Sequence, residues 1–149
     1  MLQAEFHTGV SEPLRFACRL LRKAWRQGAQ VQVAAPASTL QALDRELWVF
    51  EANEFVPHLR VRTGQTMDTS LQRTPIWLCE SDAPVPGPKI LVSLGGAMPR
   101  ELDRFERIIE VVSDDAEERK LARQRWRDYL VRGVNVVHHA QGQAAAPKH

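Results

Sequence analysis

The chain has 149 residues, 44% hydrophobic and 26% charged, values that fit one globular domain and exclude a collagen-like, coiled-coil or wholly disordered chain. Twenty Lys and Arg against eighteen Asp and Glu give a formal charge of +2, too near balance for a general nucleic-acid binder, so any basic function must be local. The longest apolar runs, Ile90 to Leu94 and Ile108-Ile109-Glu110-Val111-Val112, fall far short of a membrane span, and Glu5 and His7 near the start argue against a secretory signal.

Glu5 and Phe6 stand in a short N-terminal stretch that reads as a strand. Ser11 is placed to cap a helix whose first turn takes Glu12 and Pro13. Leu14, Ala17, Cys18, Leu21 and Trp25 then recur at three- and four-residue spacing, which predicts one buried face, and Gly28 ends the helix. Val31 to Ala35 reads as a strand closed by Pro36. Ser38 is the next expected cap, for a second helix with Leu40, Leu43, Leu47 and Trp48 on its apolar side.

Arg60 to Arg73 is polar and predicts a long surface loop. Ile76 to Cys79 is a short strand, and Pro84, Pro86, Gly87 and Pro88 mark a turn. Ile90 to Leu94 is the clearest buried strand, apolar on both faces as parallel strands tend to be. Gly95-Gly96 breaks it, and Pro99 starts a short helix carrying Leu102 and Phe105. Arg107 to Val112 is a further strand, Asp114 to Arg132 a long helix, and Val134 to Val137 a last strand.

This alternation predicts an α/β fold: a single three-layer domain over residues 1–139, with a mostly parallel twisted sheet and helices on both faces. It is Rossmann-like but without phosphate-binding motifs. Residues 140–149 carry no apolar pattern and are expected to form a disordered tail. Cys18 and Cys79 make neither a CxxC pair nor a zinc framework, and both stand in apolar patterns. Buried free thiols and a reducing, cytoplasmic compartment are expected.

The sheet invites a search for a nucleotide site, and none is found. GxxxxGK(S/T) and GxGxxG are absent, and Gly95-Gly96 leads into Ala97, Met98 and Pro99 with no lysine placed for a phosphate. No GxSxG elbow supports Ser93 as a nucleophile. His138 and His139 project to opposite faces of the last strand, so they are poorly placed to share a metal. His58 has no carboxylate beside it in sequence and reads as a surface or edge group. Asp114, Asp115, Glu117 and Glu118 suit the positive end of a helix dipole better than a metal. No catalytic residue, metal site or cofactor is expected, and the chain reads as a non-enzyme.

The long helix is the informative segment. After its acidic opening it carries Arg119, Lys120, Arg123, Arg125, Arg127 and Arg132 against the single acid Asp128. At about 100° per residue, Arg119, Arg123 and Arg127 line one flank, Ala122 and Tyr129 mark the buried stripe, and Trp126 falls between them. One reading is a solvated basic face with Trp126 in the core. The other is a site for an acidic, aromatic-bearing ligand, with guanidinium groups taking carboxylates and the indole giving apolar contact.

Trp25-Arg26-Gln27-Gly28, Leu43-Asp44, Leu47-Trp48, Phe55-Val56-Pro57-His58, Ile90 to Leu94, Leu121-Ala122-Arg123, Arg125-Trp126-Arg127, Tyr129 and Gly133 follow one another along the chain. In order and spacing these fragments resemble the chi subunit family of bacterial DNA polymerase III. The resemblance implies a non-catalytic adaptor of the clamp-loader complex, cytoplasmic and bacterial. Such an adaptor grips the acidic, Phe-terminated C-terminal tail of single-stranded-DNA-binding protein and links it to the psi subunit, meeting DNA only indirectly. Carried over by position, the tail site would be Arg119, Arg123, Trp126 and Arg127, with Val112 and Gly133 at its wall. The psi face would involve Trp48, Phe55, Pro57 and His58, and an accessory helicase is a further possible partner there. Family members commonly have Tyr at the Trp126 position and Lys at Arg119 and Arg127, so charge and aromaticity survive the departures. The competing readings are a small nucleotide-binding α/β domain and direct binding of single-stranded nucleic acid. Against the latter stand the near-neutral charge and the lack of several stacking aromatics.

Overall fold

The computed structural model describes residues 2–49, 56–61, 74–80, 87–95 and 101–140. In chain order the elements are β1 (Gln3–Val10), α1 (Pro13–Arg26), β2 (Val31–Ala34), α2 (Ala37–Val49), β3 (Leu59–Val61), β4 (Ile76–Cys79), β5 (Ile90–Ser93), β6 (Arg107–Ser113), α3 (Ala116–Val131) and β7 (Asn135–Ala140). A short 3-10 turn, Leu102–Arg104, stands before β6.

The seven strands form one sheet in the order β3-β4-β2-β5-β6-β1-β7, and every described pairing is parallel. The chain travels from β1 to β2 in one direction across the sheet and from β6 to β7 in the other. Right-handed crossovers then require their helices on opposite faces, and that is where they lie. Leu21 and Ala17 of α1 and Leu40, Leu43 and Leu47 of α2 pack with Val33, Val92, Ile109 and Val111 in one core. Ala122 and Tyr129 of α3 pack with Phe6, Leu91, Ile108 and Val112 in a second core on the other side. Strand β6 shows the logic, since Ile109 and Val111 serve the first core and Ile108 and Val112 the second. Each fully buried Leu, Ile or Phe among these removes enough apolar surface from water to contribute about 1.5–3 kcal/mol. Cys18 and Cys79 are both free and buried, and burial pushes each thiol up to about 12.

The helix starts differ from the sequence reading. Pro13, with its fixed φ and no N–H, takes the first helical position of α1, so Glu12 and not Ser11 stands at the cap, with no capping side-chain bond. In α2 the Pro36 carbonyl accepts the Leu40 N–H at 3.0 Å, and Ser38 lies inside the first turn, not at the cap. Helix α3 is capped as its acidic opening suggests: the Asp115 carboxylate accepts from the Glu118 N–H at 3.0 Å. It ends at Gly133, whose φ of +79° only glycine adopts readily, and the Val134 N–H returns to the Tyr129 carbonyl at 3.0 Å.

Four further expectations change. The polar stretch from Arg60 opens inside β3, because pairing with β4 orders Leu59–Val61; residues 62–73 lie outside the described residues. The helix expected from Pro99 is a single 3-10 turn with Leu102 and the following Phe105 buried, and Pro99 itself is not described. Trp48 is 63% exposed at the end of α2, not part of its buried side. The last strand runs to Ala140, and the expected tail beyond it is not described.

Candidate functional site

Helix α3 crosses the face of β6, β1 and β7, and its N-terminal half leaves a cleft against the sheet. The cleft holds about 230 Å³ and is lined by Phe6 and Thr8 of β1, Val112 of β6, His138 of β7, and Arg119, Ala122, Arg123 and Trp126 of α3. Its floor is apolar. Its rim is cationic, because Arg119 and Arg123 are exposed one helical turn apart, and among the described residues neither pairs with an acid. The volume is below the roughly 300–1,000 Å³ of small-molecule and cofactor sites, which suits one inserted side chain with charges around its mouth.

Trp126 is half-buried and sets the shape of the cleft. Its ring centroid lies 5.0 Å from that of Phe6, tilted by 42°, and 5.4 Å from that of His138 in an edge-on contact at 82°. His138 is fixed in turn by a 2.6 Å hydrogen bond between its Nε2 and Thr8 Oγ1. Register explains why these groups meet: Phe6 of β1 pairs with His138 of β7, so both side chains share the α3 face.

Angles around α3 explain what enters the cleft and what does not. Taking Ala122 as the centre of the buried stripe, Trp126 lies about 40° to one side and Arg119 and Arg123 about 60° and 100° to the same side. Arg127 is about 140° away, and it is exposed outside the lining. Gly133 is also outside it: fourteen residues beyond Arg119, it lies about 21 Å further along the helix axis, where it ends the helix. Of the six residues carried over from the family pattern, the structure therefore brings together Arg119, Arg123, Trp126 and Val112.

Arg125 falls on the other side of the stripe and turns inward. Its Nε donates to Glu110 Oε1 at 3.0 Å, and the Tyr129 hydroxyl donates to Glu110 Oε2 at 2.8 Å. Complete burial pushes the Glu110 carboxyl up, opposed by the Arg125 charge and the Tyr129 hydrogen bond. Burial, with the Glu110 charge next, likewise raises the Tyr129 hydroxyl. Arg125 is thus an internal counter-ion holding α3 to β6 and is not part of the exposed basic face. A lone acid inside Ile108-Ile109-Glu110-Val111-Val112 was the available signal, since a buried carboxylate requires a partner.

Phe6, Thr8 and His138 were not singled out by sequence reasoning for this site. They are remote from α3 in sequence, and only the β1–β7 register places them beneath it. A second cleft, of about 290 Å³, lies at the carboxyl ends of the strands, where open α/β sheets usually bind ligands. Among the described residues its lining carries the acid Glu118 and no Lys or Arg, so its side-chain charge does not favour a phosphate.

At the opposite edge, His58 is buried, with only 2% of its side chain exposed. Its Nδ1 donates to the Val56 carbonyl at 2.8 Å and its Nε2 lies 2.6 Å from Asp44 Oδ1. The expectation of a surface histidine without a carboxylate is corrected: α2 supplies the partner from fourteen residues upstream. The ring also meets Trp48 edge-on at 5.9 Å. Trp48 presents its indole to solvent, Pro57 is half-buried, and Phe55 lies outside the described residues.

A family model described as DNA polymerase III chi subunit, HolC, matches residues 1–137. The chain belongs to the DNA polymerase III chi subunit family. It is 31% identical over 130 residues to the DNA polymerase III subunit chi of Pseudomonas aeruginosa, a match covering 87% of each chain. The chi subunit of Haemophilus influenzae is 30% identical over 122 residues, covering 80% of this chain and 81% of that one. The Escherichia coli chi subunit is 26% identical over 129 residues, with coverages of 86% and 85%. As a chi family member the protein is a replication accessory subunit of DNA polymerase III. Among the described residues no helix is long and apolar enough to cross a membrane.

Proposed function

We propose that this chi-family protein is a non-catalytic, cytoplasmic adaptor of the clamp-loader complex, and that the cleft under α3 binds the acidic C-terminal tail of single-stranded-DNA-binding protein. The observation that carries this reading is the junction of an apolar slot, floored by Phe6, Val112 and Trp126, with two exposed arginines at its mouth. A peptide ending in phenylalanine and preceded by aspartates matches both halves. The aromatic ring enters the slot, the terminal carboxylate pairs with Arg123, and a preceding aspartate pairs with Arg119. Arg127, one turn further, adds attraction for acids upstream in the tail without touching the slot. His138 and Thr8 join the site as groups that hold Trp126 in place.

Calorimetric titration with the free-acid peptide and its C-terminally amidated form, each at two salt concentrations, tests this assignment. The free acid is expected to bind more tightly because amidation removes a charge-assisted pair. Both affinities fall with salt, since exposed charges are screened within about 8 Å at physiological ionic strength. Equal binding of the two peptides would mean that the arginines sense bulk charge only, and the pocket would have to be abandoned. Single-stranded DNA binding more tightly than either peptide would favour a nucleic-acid function instead.

The surface at Trp48 is proposed to meet the psi subunit, with buried His58 bracing the indole from behind and Pro57 alongside; Phe55 belongs to this assignment by sequence position. Trp48→Glu is expected to leave the melting temperature nearly unchanged, because an exposed side chain contributes little to folding. The same change should abolish psi binding and leave tail binding intact. A large drop in melting temperature would show that Trp48 acts as core.

A further inference from the structure

On the face of the sheet opposite the peptide cleft, Glu5 and His7 stand two residues apart on β1, and both point toward α1. His139 of the edge strand β7 lies directly beside His7 in register. The two imidazole rings are stacked, with centroids 4.7 Å apart and planes at 15°. One potential ligand atom from each of Glu5, His7 and His139 falls within a common 4.8 Å, and Glu5 Oε1 is 3.9 Å from His7 Nε2. We propose that these three side chains form a binding site for a divalent transition-metal ion, Zn2+ by preference, that ties β7 to β1.

The donor set supports the choice of ion. Two imidazoles and one carboxylate, with a fourth position left to water, is an established ligand combination for zinc. Tetrahedral coordination with bonds of about 2.0–2.1 Å places ligand atoms about 3.3 Å apart. The 3.9 Å gap between Glu5 and His7 therefore closes by roughly half an ångström, and the gaps to His139, at most 4.8 Å, by up to about 1.5 Å. Because an imidazole binds a metal in its ring plane, one of the two stacked rings must also turn out of the stack, and exposed His139 has the room to do so. His139 is exposed, so an ion enters from the β7 edge without opening the fold. Phe16 of α1 packs on His7 with centroids 5.3 Å apart and limits where that ring can go.

Arg107 acts on the site in two ways. It donates from Nη2 to Glu5 Oε1 at 3.0 Å and from Nε to Oε2, which fixes the carboxylate as outer-shell partners of metal ligands do. Its positive charge also opposes a cation, so affinity is lower than for an isolated site of the same ligands. The sequence could not show the cluster, because His139 joins Glu5 and His7 only through the β1–β7 pairing.

Zn2+ titration of the full chain, stripped with a chelator and monitored by calorimetry and thermal unfolding, tests the proposal. One equivalent is expected to bind and to raise the melting temperature by a few degrees, because the ion binds the folded state selectively. His7→Gln and His139→Gln are each expected to weaken binding by at least about tenfold, since loss of a ligand exceeds the effect of losing an outer-shell partner. His139 is exposed, so His139→Gln retains the native circular dichroism and keeps the test interpretable even where His7→Gln unfolds. His149→Ala should leave binding unchanged. Absence of binding to the wild type, unaltered affinity in folded His139→Gln, or loss of binding in His149→Ala would each overturn the site.

Discussion

Arg125→Ala is expected to destabilise the domain by about 3–5 kcal/mol, the cost of stranding one partner of a buried ion pair. Glu110 has 1% of its side chain exposed and Arg125 12%, so water cannot replace the lost guanidinium, and the hydrogen bond from the neutral Tyr129 hydroxyl does not supply the missing charge. Urea denaturation should show a lower midpoint with an unchanged slope. The effect carries a pH signature. Burial already holds the Glu110 carboxyl above its ordinary value of 4.5, and loss of Arg125 raises it further. A carboxyl raised by folding favours the folded state most below its unfolded pKa, and that favour is lost as pH rises through the folded pKa. The deficit of the variant should therefore be largest near neutrality and shrink as pH falls toward 4.5. Replacing all three polar partners with apolar groups, Arg125→Met with Glu110→Leu and Tyr129→Phe, should recover most of the loss, because neither a charge nor an unpaired hydroxyl then remains buried. A single variant as stable as the triple would refute this role.

Tail binding should lose about 2 kcal/mol or more, roughly thirtyfold in affinity, in Arg123→Ala and separately in Trp126→Ala. The two variants fail for different reasons. Arg123 is exposed and touches no described acid, so its removal subtracts a ligand contact and leaves folding nearly unchanged. Trp126 packs on Phe6 at 5.0 Å, so its truncation also empties part of the slot and costs some stability. Trp126→Tyr should restore much of the binding, because it keeps an aromatic wall. Arg127→Ala should cost far less than Arg123→Ala, since Arg127 lies outside the cleft. Comparable losses at 123 and 127 would show that the helix face acts as a diffuse charge.

Which features the sequence displayed follows from the range of the forces behind them. Pattern along one element was legible: Leu14, Ala17, Cys18 and Leu21 declared the buried face of α1, and Ala122 and Tyr129 that of α3. Pairing across the sheet was not. Leu59–Val61 is too short and too polar in context to announce a strand, and it becomes one because β4 offers it a ladder. The position of β1 between β6 and β7 is equally silent in sequence, yet it delivers Phe6, Thr8 and His138 to the cleft. The flank of Arg119, Arg123 and Arg127 was legible in the sequence, but the inward role of Arg125 was not. Arg119 and Arg123 face solvent at the cleft, whereas Arg125, only two residues on, is turned to the opposite side of the stripe and neutralises Glu110. The helical angles contained that division; the missing knowledge was that a buried acid waited in β6.

The buried brace at His58 teaches the same lesson from the other edge. Nothing adjacent in sequence marks Asp44 as its partner, because the contact runs from the middle of α2 to the segment before β3. The cap positions show a more local competition. Ser11 and Ser38 are good capping residues by type, but each lies near a proline that fixes where the helix begins, and the backbone restriction prevailed over side-chain preference.

The central claim is that the cleft under α3 receives an acidic, Phe-terminated peptide. Its most direct test is a titration of isotopically labelled protein with that peptide, followed by NMR through the indole N–H of Trp126 and the backbone amides. Saturable shifts at the Trp126 indole, centred on Phe6, Val112, Arg119, Arg123 and His138 and absent at Trp48, are the expected result. Saturable binding that leaves these resonances unmoved, or that shifts the α1 face instead, would contradict the account.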